Sequence, residues 1–281
     1  MSDGPDVRIV ISADMEGTAG VVEWDQVDSE HASYQHARLW MIQEVNSAVA
    51  GAIEGGATEV IVNDSHGPMT NLLPDLLDRR ATLISGHRKP LSMAQGLDSG
   101  AAGLVCSGYH ARASTPDGVL AHTFNLAVDE VRLNGRPVGE IAIIAMIAGH
   151  FGVPVLAVTG DRAAVRQAQE LLGEGLTGVP VKNGITPRSA RSLNPEVARE
   201  RIRERVAEAV AARASAPVFR PEVPIKLETI FSTNEMAECA ATLPEAIREG
   251  RSVTIQAEDP LTAFRRWRVV MMLGNIERRH R

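Results

Sequence analysis

The sequence predicts an α/β fold, a mainly parallel sheet covered by helices, with a smaller carboxyl-terminal α+β unit. Three observations predict it. Short β-branched runs alternate with longer stretches of helical spacing through the first half of the chain. Each short run ends in polar or glycine-bearing residues, where a buried strand would leave its sheet. The chain has 281 residues, 44% hydrophobic and 23% charged, which suffices for one large core and excludes a disordered or coiled-coil chain.

The elements follow in order. Residues 7–13 form an apolar strand ending at Asp14. A helix spans 34–54, because Met41, Val45, Ala48, Val49 and Ala52 recur at helical spacing and Gly55-Gly56 ends the pattern. Strands are expected at 58–62, 81–84 and 103–107. Residues 128–133 and 136–138 flank Asn134-Gly135, a dipeptide that tolerates the positive φ angles of a two-residue hairpin turn. The long apolar stretch 141–158 is divided by Gly149, His150, Gly152 and Pro154 into a buried helix and a buried strand, 153–159. Helices at 161–172 and 195–213 carry Asp161 and Asn194 as caps, the second with Pro195 at its first position. Pro217, Pro221 and Pro224 break both periodicities, so a boundary is placed there: a catalytic α/β domain, 1–214, and a strand-helix-strand-helix unit, 215–281.

Charge and composition narrow the partners. Lys and Arg number 29 against 35 Asp and Glu, and aromatics make up 4%, a poor basis for nucleic-acid binding. Arg265, Arg266 and Arg268 around Trp267 read as a solvated or interface face of a helix. Cys106 and Cys239 form no disulfide framework or CxxC motif, and residues 1–6 are polar and acidic, so a cytoplasmic protein without a membrane partner is expected. Gly173, Gly175 and Gly178 match GxGxxG but follow a helix, the reverse of a dinucleotide-binding turn. No GxxxxGK[ST], HExxH or GxSxG pattern occurs.

Chemistry-bearing residues gather just past the strands. Asp14 and Glu16 follow the first, two residues apart and so on one side of an extended chain. Asn63, Asp64 and His66 follow the second, and His110 follows the strand ending near Ser107. Carboxylates with imidazoles suit zinc or a similar first-row ion, and a bridging carboxylate can hold two ions. Glu140 opens a buried apolar helix, where its charge needs a partner, and His122 is placed to move a proton. Plainer roles stay open: a helix cap for Asp14 and Glu16, satisfied burial for His66 and His110, a helix-start carboxylate for Glu140, and turn bonding or support of a ligand for Asn63 and Asp64. Cys106 lies in an apolar strand and reads as an inert buried thiol.

These residues carry a family resemblance. The stretches Ser12-Ala13-Asp14-Met15-Glu16-Gly17, Val62-Asn63-Asp64-Ser65-His66, Leu83-Ile84-Ser85-Gly86, Gly108-Tyr109-His110-Ala111-Arg112-Ala113-Ser114-Thr115-Pro116 and Arg136-Pro137-Val138-Gly139-Glu140 resemble the zinc-dependent D-aminopeptidase family of bacterial dipeptide-transport operons. The likeness covers most of residues 7–165 and is weaker in the last third. It implies two zinc ions per subunit on Asp14, Glu16, His66, His110 and Glu140, with one carboxylate bridging, and a catalytic histidine at His122. It also implies release of amino-terminal D-amino acids from short D-peptides such as D-Ala-D-Ala, and a homodecamer of two stacked pentameric rings. Asp117 departs from the pattern, lengthening the loop before His122 by one residue. The residues alone leave open a binuclear metal amidase, an L-aminopeptidase, or a non-catalytic protein that binds a small ligand or metal. They also leave open whether His122 or a metal-bound hydroxide is the nucleophile.

Overall fold

The computed structural model describes residues 6–276, so the reading of the opening residues 1–5 lies outside it. The larger sheet runs in the order β3-β2-β1-β4-β7-β8-β9. Its strands are β1 (Arg8–Ala13), β2 (Glu59–Asp64), β3 (Ala81–Ile84), β4 (Gly103–Tyr109), β7 (Val155–Asp161), β8 (Thr177–Thr186) and β9 (Ser189–Ser192). Every pairing is parallel except the edge pair β8–β9. The chain moves outward from β1 to β3, then crosses back to place β4 on the other side of β1. That reversal opens a crevice beyond the carboxyl ends of β1 and β4, the place where open α/β sheets hold ligands.

Alternation along the buried strands feeds two apolar layers. Ile9 and Ile11 of β1 pack with α1 (Tyr34–Glu54) and α4 (Pro195–Ala211), while Val10 packs toward α2 (Glu140–His150) and α3 (Arg162–Leu172). The caps form as the sequence predicts: Asp161 accepts from the Ala163 N–H, and Asn194 from the Glu196 N–H. The expected hairpin is β5 (Val128–Leu133) and β6 (Arg136–Val138), with φ of 49° at Asn134 and 82° at Gly135.

This hairpin joins the carboxyl-terminal strands. Together they make an antiparallel sheet in the order β11-β12-β10-β5-β6, from β10 (Ile225–Phe231), β11 (Ile247–Glu249) and β12 (Ser252–Ala257). Helices α5 (Asn234–Ala240) and α6 (Pro260–Gly274) complete the region. The sequence expects strand-helix-strand-helix there, whereas the structure adds β11, a three-residue exposed strand paired to β12. Ile-Arg-Glu carries no alternation that would mark it. No helix among the described residues is long and apolar enough to cross a membrane.

Candidate metal centre

The crevice beyond β1 and β4 is assembled by backbone contacts that require glycine. The Asp14 N–H donates to the Ser107 carbonyl and the Gly17 N–H to the Gly108 carbonyl, each at 2.8 Å, so the two post-strand loops dovetail. A Cβ on Gly108, whose φ is 73°, would lie 2.2 Å from the Asp14 carbonyl oxygen, and one on Gly17 would lie 2.0 Å from that of Tyr109. This close approach brings Asp14 and Glu16 beside His110. The third loop is tied in by the Ser65 N–H, which donates to Ala13.

The structure brings Asp14, Glu16, His66, His110, Glu140 and His122 together. The first five are each at most 6% exposed, and the His122 side chain is 12% exposed. His66 Nδ1 lies 2.9 Å from Glu16 Oε2 and 3.5 Å from Asp14 Oδ1. His110 Nε2 lies 3.3 Å from Glu140 Oε1 and 3.5 Å from Asp14 Oδ2. His122 Nε2 lies 3.8 Å from Glu16 Oε1 and 3.9 Å from Glu140 Oε1. Among the described residues two donor groups are compact enough to hold an ion: Asp14, Glu16 and His110, and His110, His122 and Glu140.

The far nitrogen of every ring meets a backbone carbonyl: His66 Nε2 at Val27 (2.8 Å), His110 Nδ1 at Ala111 (2.9 Å) and His122 Nδ1 at Leu120 (2.8 Å). A carbonyl only accepts, so each of those nitrogens carries the proton. The nitrogen facing the carboxylates is therefore the one available to a cation, and its aim is fixed by the bond behind it.

The electrostatics describe a site short of positive charge. Burial and the Glu16 charge push the Asp14 carboxyl up to about 7, despite opposition from His66 and His110. Burial opposes charge on His110, yet Glu140, Asp14 and Glu16 override it and raise its pKa to about 10. His66 moves well upward in the same way, against burial, under Glu16 and Asp14. Burial, followed by the charge on His110, lowers the pKa of His122. His110 and His122 stack with centroids 4.0 Å apart, and Trp24 meets His122 edge-on at 5.4 Å. Asp14 Oδ2 is buried with no hydrogen-bond partner. A buried carboxylate oxygen without a hydrogen bond, among further carboxylates and imidazoles, fits a divalent ion with borderline N/O preference, such as zinc.

Asn63 and Asp64 sit behind the cluster. Asp64 accepts from the Asn71 and Leu72 N–H groups and from the Asn71 amide, which also donates to the His66 carbonyl, fixing the loop that carries His66. Asn63 binds the Ser92 and Met93 carbonyls and accepts from Lys89. The longer loop at Asp117 is pinned by a two-pronged pair with Arg166 at 2.9 and 3.0 Å, and the Val119 N–H donates to Asp161, so His122 still reaches the carboxylates. Sequence reasoning misses Lys182, a buried lysine on β8 whose ammonium donates to the carbonyls of Glu16, Thr18 and Val21. Its only sequence signal is a lysine directly after the buried Val179 and Val181.

A switch-point crevice lined with convergent carboxylates and oriented imidazoles defines the class: α/β proteins organised around a divalent-metal centre. Within that class the chain belongs to the D-aminopeptidase family, peptidase family M55, whose family model matches residues 7–269. It is 39% identical over 271 residues to a D-aminopeptidase of Bacillus subtilis (strain 168), covering 95% of this chain and 98% of the relative. Its fold is similar to a solved structure of the Zn-dependent D-aminopeptidase DppA from Bacillus subtilis, described as a self-compartmentalizing protease. The TM-score is 0.93 at 37% identity, over 96% of this chain and 98% of that one.

Proposed function

We propose that the protein is a zinc-dependent aminopeptidase that releases amino-terminal D-amino acids from short D-peptides such as D-Ala-D-Ala. Asp14, Glu16, His66, His110 and Glu140 would hold two zinc ions, and His122 would be the catalytic histidine. The observation that carries this reading is Asp14 Oδ2, buried without a hydrogen bond and 3.5 Å from His110 Nε2, where carboxylates and pre-aimed imidazoles converge. Family membership and the zinc dependence of the similar Bacillus protein support it.

Bound zinc supplies Lewis-acid polarisation of the scissile carbonyl and stabilisation of the developing oxyanion. The remaining work falls to this chain's own groups. His122, tied to Leu120 through Nδ1, keeps Nε2 to take a proton during attack and return it to the leaving amine. Its lowered pKa keeps that nitrogen unprotonated near neutral pH. Trp24 packs against the His122 ring in a T-shaped contact, with centroids 5.4 Å apart. Lys182 holds the Glu16 loop by three carbonyls, and Asp64 holds the His66 loop.

Residues 1–214 carry the chemistry, and 215–281 form the smaller unit, whose sheet is completed by the hairpin β5–β6 from the first part. The chain assembles as a homodecamer of two stacked pentameric rings, with exposed Ile185, Ile247 and Met272 offering apolar contact surface. We place it in the cytoplasm, in keeping with two cysteines and no disulfide framework.

The test is hydrolysis of D-Ala-D-Ala and L-Ala-L-Ala side by side, with zinc-reconstituted and chelator-treated protein. Selective cleavage of the D-dipeptide, abolished by the chelator, is expected. Cleavage of the L-dipeptide alone would overturn the substrate, and chelator-resistant activity would overturn the metal.

A further inference from the structure

A cavity of about 200 Å³ opens beside the metal centre, with His110 and Glu140 in its wall. That is below the roughly 300–1,000 Å³ of sites for drug-sized ligands, and it suits a peptide of very few residues. The other charged residues lining it are Arg112, Arg136 and Glu170. Arg136 already donates to the Glu170 carbonyl, and Glu170 lies 3.9 Å from Arg166. Arg112 is different: its guanidinium has no hydrogen bond or ion pair among the described residues, although the residue is half-buried.

The backbone of Arg112, by contrast, is held on both sides. Its N–H donates to Gln167 Oε1 at 3.0 Å, the Gln167 amide donates to the Thr115 hydroxyl at 2.9 Å, and that hydroxyl donates to the Arg112 carbonyl at 2.7 Å. This closed ring of bonds fixes the root of a side chain whose charged end is left unanswered. A partly desolvated guanidinium without an acceptor is unfavourable, and a planar fork of donors matches a carboxylate in two parallel bonds. Among the described residues the anions that line this cavity are Glu140, which belongs to the metal centre, and Glu170, 3.9 Å from Arg166.

We propose that Arg112 binds the free carboxyl-terminal carboxylate of the substrate, making this a peptidase that measures short peptides from both ends. The inference rests on the aminopeptidase reading and deepens it. The metal centre engages the amino-terminal residue and its carbonyl, while Arg112 selects chains whose carboxylate falls within the cavity. A longer or amidated peptide loses that bond.

The experiment compares D-Ala-D-Ala with D-Ala-D-Ala-amide, which shares the scissile bond and lacks the carboxylate, in zinc-loaded wild type, Arg112→Met and Arg112→Lys. Wild type should favour the free acid, and Arg112→Met should lower the ratio of kcat/KM for acid over amide by about 10- to 100-fold, mainly through KM. Arg112→Lys should restore part of that ratio, since it keeps the charge and loses the fork. Zinc content, measured on each variant, should match wild type. An unchanged ratio in Arg112→Met, or equal loss on both compounds, would overturn the assignment. No turnover of either compound by zinc-loaded wild type would overturn the aminopeptidase reading, and this inference with it.

Discussion

The loops beyond the carboxyl ends of the large sheet and the layer between the five-stranded sheet and α6 are both well buried, yet they are built on opposite terms. In the second region Trp267 is fully buried, its indole N–H donates to Thr229 Oγ1 at 2.8 Å, and Phe124 meets it edge-on at 4.7 Å. Charges there stay at the margins and pair, as Arg251 does with Asp129 and Arg132 with Glu130. In the first region carboxylates face one another in the interior. Among the described residues the buried side-chain atoms without a hydrogen-bond partner are Asp14 Oδ2, Thr18 Oγ1, Glu44 Oε2, Ser107 Oγ and Asn275 Oδ1. Asp14 and Thr18 belong to the loop after β1, Ser107 accepts from the Asp14 N–H through its carbonyl, and Glu44 accepts from the Ala19 N–H through its other oxygen. The apolar region, Asn275 Oδ1 at the end of α6 apart, is satisfied by its own atoms, and the other keeps buried acceptors beside its carboxylates, a cost that protein folding tolerates at functional sites.

The largest effect follows from neutralising the crevice. Asp14→Asn should lose zinc, measured by metal analysis, and lower kcat/KM by more than about 1,000-fold. In chelator at pH 8 the same variant should melt higher than wild type, because it removes a buried charge that Glu16 disfavours. A lower Tm would mean that Asp14 stabilises the fold, and the contrast between the regions would fail. Next, His122→Ala should keep its zinc and lose about 100- to 10,000-fold in kcat. Loss of metal together with turnover would make it a ligand.

The apolar region should answer only in stability. Trp267→Ala should cost about 3–5 kcal/mol in denaturant unfolding, with the zinc stoichiometry of the folded fraction unchanged. A smaller, pH-dependent effect belongs to Glu44. Burial pushes its carboxyl up to about 7, even though Ala19 donates to it. A folded pKa above the unfolded value gives stability that is complete below about 4.5 and lost as pH rises through about 7, amounting to about 3 kcal/mol. Glu44→Gln should therefore flatten the pH dependence of Tm between pH 5 and 8 and be the more stable protein at pH 8. A wild-type Tm that rises over that window would contradict it.

Much of this architecture is legible in local sequence. Asp161 and Asn194 announce their helices, Asn134-Gly135 its hairpin, and the periodic face of Met41, Val45 and Ala52 its helix, because caps, turns and faces are decided within a few residues. The candidate site is legible to the same extent: Asp14, Glu16, His66 and His110 stand out because each follows a strand. What sequence does not carry is the partner at long range. The Val27 carbonyl behind His66 is 39 residues away, and Lys182 meets the Glu16 carbonyl from 166 residues away. Neither has a local signal, since a carbonyl belongs to every residue and a buried lysine reads like a surface one. The edge strand β9, Ser-Ala-Arg-Ser, is likewise formed by its neighbour rather than by its own propensity.

A crevice built for two ions should declare itself in a zinc titration of chelator-stripped protein, followed by calorimetry and by D-Ala-D-Ala turnover in parallel. Two equivalents per chain are predicted, with full activity reached only as the second binds. Affinity should weaken as pH falls, because zinc must displace protons from His66 and His110. Saturation at one equivalent, or full turnover before any zinc is added, would contradict it.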